Sequence, residues 1–79
     1  MNKKEAEKLF KPGNIIKMID ADKKMIIYKI RSYEYPLLKV ILLYPLHKEY
    51  LIEIKNDELF FEKSSFKKLS KEEALAIMI

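Results

Sequence analysis

Between Asn14 and Lys63 the apolar residues recur mostly at strand period, and the polar breaks between them are only a few residues long. A parallel strand pair needs a crossover of about a dozen residues or more, usually a helix. No break here has that length, so the segment reads as an antiparallel meander over residues 14–63. Ile15, Ile16, Met18 and Ile19 form a β-branched run that stops at the polar turn Asp20-Ala21-Asp22-Lys23. From Met25 to Tyr35 the alternation sends Ile26, Tyr28 and Ile30 one way and Lys29, Arg31, Tyr33 and Tyr35 the other. Pro36 ends that strand, because proline cannot donate to a central ladder.

Leu37 to Tyr44 is apolar at nearly every position, Lys39 being the exception. A strand of that kind is covered on both faces or lies at a subunit interface. Tyr50 to Lys55 alternates again, with Tyr50, Ile52 and Ile54 expected inward, and Asn56-Asp57 reads as a hairpin turn into a fifth strand over residues 58–63. Ser64-Ser65 breaks that strand, leaving Phe66 and Leu69 as anchors of a tight segment.

Short helices flank the meander. Asn2 is placed to cap residues 3–10, with Glu5 three positions on, and Ala6, Leu9 and Phe10 share one helical face. Lys11-Pro12-Gly13 stops it, and Gly13, the chain's one glycine, is expected at positive φ. Ser70 and Glu73 spell a capping box for a helix over residues 70–79, whose apolar end needs a surface to dock on.

The expectation is a single domain over residues 1–79, mainly β within the α+β class. Its core is a five-stranded antiparallel barrel or strongly curved sheet between short N- and C-terminal helices. The resemblance to SH3-like barrels is one of strand count and length; the tryptophan and glycine-rich turns of their ligand grooves are absent. With 79 residues, 49% of them hydrophobic, the chain can build a core and still leave apolar surface over.

Chemistry is excluded more readily than assigned. Without cysteine there is neither a disulfide framework nor a thiolate metal site. One glycine cannot make a phosphate-cradling loop. His47, the single histidine, sits between Leu46 and Lys48 in what reads as a loop; alone it makes no metal site, which needs two or more further ligands at set spacing, and acid–base work would need a nucleophile beside it and a group to orient it. Asp20 and Asp22 read as turn residues, and Glu72 and Glu73 suit the first turn of a helix. No catalytic residue, metal site or cofactor is expected, nor a small-molecule substrate. The charged start is followed by no apolar stretch and no segment is long enough to span a bilayer, so the expected setting is the cytoplasm, away from membrane.

Two surfaces then compete as the working part. Lys29, Arg31, Tyr33 and Tyr35, extended by Lys39 and Lys17, interleave cations with flat rings, the combination that neutralises phosphates and stacks on bases of single strands. The net charge of +4 agrees with that, although Arg31 is the sole arginine among sixteen basic residues. Leu37, Ile41, Leu43 and Leu51, with Leu75 and Ile79, make an apolar face suited to a protein partner or a second copy. The favoured reading is a regulator, inhibitor or accessory subunit acting by protein contact, with nucleic-acid binding as the alternative.

Overall fold

The computed structural model describes residues 1–78. Helix α1 spans Lys3–Leu9; strands β1 Ile15–Ile19, β2 Met25–Glu34, β3 Leu37–Tyr44 and β4 Lys48–Glu53 follow. A π-helical turn over Glu58–Glu62 leads to β5, Ser65–Leu69, and helix α2, Lys71–Met78. The strands form one antiparallel sheet in the order β4-β3-β2-β1-β5. It is open: among the described residues no ladder joins β4 to β5, so the closed barrel is not formed.

Local chemistry accounts for most element ends. The Asn2 side chain accepts from the Glu5 N–H at 2.9 Å, capping α1 as its spacing predicts. Gly13 takes φ +93° and donates to the Ile30 carbonyl, and the Asn14 side-chain amide donates to the Leu9 carbonyl at 2.8 Å, tying the end of α1 to the sheet. At the β1–β2 turn Asp20 Oδ1 accepts from the N–H groups of both Asp22 and Lys24, which leaves that carboxylate occupied by its own loop. Ser70 Oγ accepts from Glu73 N–H while Glu73 Oε1 accepts from Ser70 N–H, a reciprocal box that starts α2.

The fifth strand is not where periodicity placed it. Residues 58–63 would, as a strand, send Phe60 and Phe61 to opposite faces. Wound into a helical turn, both rings pack on the same core, their centroids 5.2 Å apart. Asn56 starts that turn by accepting from the Leu59 N–H, so it acts as a helical cap and not as a hairpin corner. The segment read as a tight anchor is β5, pairing with β1 from Ile15↔Leu69 to Ile19↔Ser65.

The sheet has an inner and an outer face. Inside, Ile16, Met18, Tyr28, Ile30, Leu38 and Val40 are buried against Ala6 of α1, its C-cap Phe10 and Phe61. Phe10 contacts Tyr33, Phe60 and Phe66 with ring centroids 5.1–6.3 Å apart. Outside, Ile27, Leu69 and Ala74 are buried together, with Ile15 and Leu43 packed against them. Helix α2 therefore docks on the outer face through Ala74, while Leu75 and Ile77 of the apolar end that was expected to dock remain exposed. Ile79 lies outside the described residues. No helix is long and apolar enough to cross a membrane among the described residues.

Candidate functional site

The basic-aromatic stripe read along β2 is not assembled, and the cause is a β-bulge. Ile30 pairs with Val40 but Ser32 pairs with Lys39, so Arg31 is an extra residue in β2. A one-residue insertion reverses the faces beyond it. Lys29 stays outward, whereas Tyr33, opposite Leu38, turns to the inner face and meets the Phe10 ring edge-on at 5.1 Å. Its hydroxyl is held above the usual phenol range, first by burial and then by Glu7.

Tyr35, past the end of β2, belongs to a different group. Its hydroxyl donates to Asp57 Oδ1, its ring stacks on Phe61, and Lys3 Nζ lies 4.3 Å from its centre. Lys3 also bridges to Asp57 at 3.1 Å. The hydrogen bond from Tyr35 lowers the Asp57 carboxyl below its ordinary value, and the bond to Asp57 raises both Tyr35 and Lys3. This trio fastens α1 and the π-helical turn to the end of β2; its groups satisfy one another.

On the outer face the register collects residues that the sequence pattern divides between two separate surfaces. Lys17, Lys29 and Lys39 fall there, as do Leu37, Ile41, Leu43 and Leu51. Ile41 lies between Lys29 of β2 and Glu49 of β4; Lys39 lies between Ser32 and Leu51; Leu37 lies between Glu34 and Glu53. Arg31 reaches across to Glu49 as an ion pair, so the one guanidinium is engaged within the chain. Beside it a shallow groove of about 550 Å³ runs along β3 and β4, lined by Arg31, Ser32, Lys39, Glu49 and Leu51 among others.

Cover is uneven. α2 sits over the Ile15–Ile27–Leu43 end of this face, while Leu37 and Leu51 at the other end are 41% and 51% exposed. Leu75 belongs to α2 and is 56% exposed. The result is an apolar centre ringed by lysines and glutamates of both signs. Period two sends Glu53 outward with Leu51, but sequence reading missed Glu34 and Glu49 as neighbours of the apolar and basic residues. Cross-strand register is what unites them, and nothing in the one-dimensional pattern signals it. His47 is exposed ahead of β4. Among the described residues no three acidic or histidine side chains gather as a metal site.

These features define a small mainly-β domain with an open five-stranded sheet and one half-covered face. Compared with known proteins, the chain matches no family, no curated protein and no solved structure.

Proposed function

We propose that this chain is a non-catalytic protein-binding module that docks through the outer face of β3 and β4. The observation that carries the reading is the half-cover of that face: α2 closes the Leu43 end, and Leu37, Ile41 and Leu51 continue the apolar strip beyond it. An apolar centre within a polar rim is the anatomy of protein contact surfaces. The rim carries Lys29 and Lys39 together with Glu34, Glu49 and Glu53, which favours a partner of mixed charge over a polyanion. Regulator, inhibitor or accessory subunit are the roles that fit a domain offering one such face.

Nucleic-acid binding is the second reading, and one observation favours it: Lys17, Lys29 and Lys39 share a face, with Lys67 opposite Lys17. Three glutamates on the same face oppose it, and the tyrosines that would stack on bases lie elsewhere.

Capture from host lysate, with and without nuclease, separates the two. The expected result is a partner that survives nuclease and is lost with Leu37→Lys/Leu51→Lys. Capture that vanishes with nuclease, or that ignores the double substitution, rejects the protein-binding reading. For the alternative, single-strand affinity is followed over a salt series; phosphate contacts give a steep decline with salt, roughly one power of salt per neutralised phosphate.

A further inference from the structure

β4 is an edge strand with one ladder complete and the other side open. Its register with β3 runs unbroken from Leu37↔Glu53 to Leu42↔Lys48, and among the described residues no strand pairs with its far side. All its residues are exposed except half-buried Ile52. The opposite edge, β5, carries Lys67 and Lys68, and lysines on an edge discourage pairing. Ile54 N–H donates to the Pro36 carbonyl at 2.8 Å, extending the β3 ladder. Because antiparallel ladders alternate, Lys48, Tyr50 and Ile52 then turn their backbone groups toward β3, and Glu49, Leu51 and Glu53 turn theirs outward.

We propose that this edge pairs with β4 of a second copy of the chain, antiparallel, about a two-fold axis at Tyr50. The inference rests on the protein-binding reading above and names the occupant of one edge of that surface. A two-fold axis normal to the sheet keeps inner faces inner and outer faces outer, so opposed residues differ in number by an even count. Two registers overlap most of the strand. Centring on Leu51 sets Glu49 opposite Glu53 of the second copy twice over, and like charges in direct opposition destabilise a ladder. Centring on Tyr50 sets Glu49 opposite Leu51 and Lys48 opposite Ile52, with no like charges opposed.

That register also gives Tyr50 a role. Its ring is 51% exposed, and it falls at a pair without mutual backbone bonds, where Cα atoms approach to about 4.5 Å and aromatic side chains touch. Outward N–H and C=O groups of Glu49 and Leu51 exchange bonds with the same residues of the second copy. On the outer face the two Leu51 side chains fall on either side of the axis, and the apolar strip runs through both copies.

The natural absence of cysteine allows a direct test of register. Light scattering should give a dimer mass that falls to monomer on dilution, and Tyr50→Lys should weaken association by about tenfold or more, since it opposes two lysines at the axis. On mild oxidation Tyr50→Cys should form a covalent dimer about tenfold faster than Leu46→Cys, whose exposed position lies outside the strand. Monomer mass at every concentration up to about 1 mM, or equal cross-linking at the two positions, overturns the proposal. Leu37→Lys keeps the two readings apart: it removes partner capture while leaving the dimer intact, whereas a missing dimer beside intact capture sinks the edge pairing alone.

Discussion

Tyr28 is fully buried on the inner face, and among the described residues its hydroxyl has only the Met18 sulfur, 3.8 Å away, as partner. Burial drives its ionisation well above the usual phenol value. The consequence for stability has a definite sign. Above pH of about 10 an unfolded chain releases this proton and the folded chain keeps it. The unfolded state then binds fewer protons, so stability falls with rising pH by about 1.4 kcal/mol per unit from this group. Tyr28→Phe should flatten the loss between pH 10 and 11 in urea titrations; equal slopes in both proteins would show the ring to be wet. Tyr33 yields a second expectation at this scale. Because its ring packs on Phe10, Tyr33→Ala should cost about 1–3 kcal/mol of folding stability by urea unfolding and leave any single-strand affinity unchanged. A surface stacking tyrosine would give the opposite pair of results.

Among the elements, α2 depends most on its first turn, since only Ala74 of its described side chains is buried. The Ser70 backbone, ahead of the nearby Lys67 ammonium, holds the Glu73 carboxyl below its ordinary value. Glu73 therefore supports the cap above that range and ceases to as pH falls through it. Ser70→Ala should cost about 1 kcal/mol and speed amide exchange at Ala74, whose N–H bonds the Ser70 carbonyl, while β2 keeps its protection. Caps and turns of this kind were legible in the sequence because their partners lie within four residues, as at the Asn2–Glu5 cap and the polar turn that starts at Asp20. What escaped needed distant information. Glu58–Lys63 carries two adjacent phenylalanines that fit either a strand or a turn, and the core around Phe10 decides. Ser65–Leu69 becomes a strand because β1 offers it an edge. The bulge at Arg31 has no mark of its own, so a period-two count carried past it assigned Tyr33 and Tyr35 to the wrong side.

For the whole molecule, an open sheet leaves two edges and half a face to be managed, and α2 manages only one end of the outer face. Were β4 to pair with its copy, folding and association would be linked, and thermal stability would depend on protein concentration. In the dimeric range a hundredfold rise in concentration adds about 1.4 kcal/mol per chain, which in a domain of this size is worth about 5–10 °C in Tm. Tyr50→Lys should move that dependence to concentrations about tenfold or more higher, yet leave the Tm at low concentration unchanged, because the Tyr50 side chain stands exposed on the edge, outside the buried core. Leu37→Lys should keep the dependence. Calorimetry at a few concentrations thus tells edge pairing from face docking: the edge contributes a slope with concentration, while the face responds to the partner alone. A concentration-independent Tm in the unmodified protein would mean that β4 is left solvated and that its alternating charges serve to keep strands away.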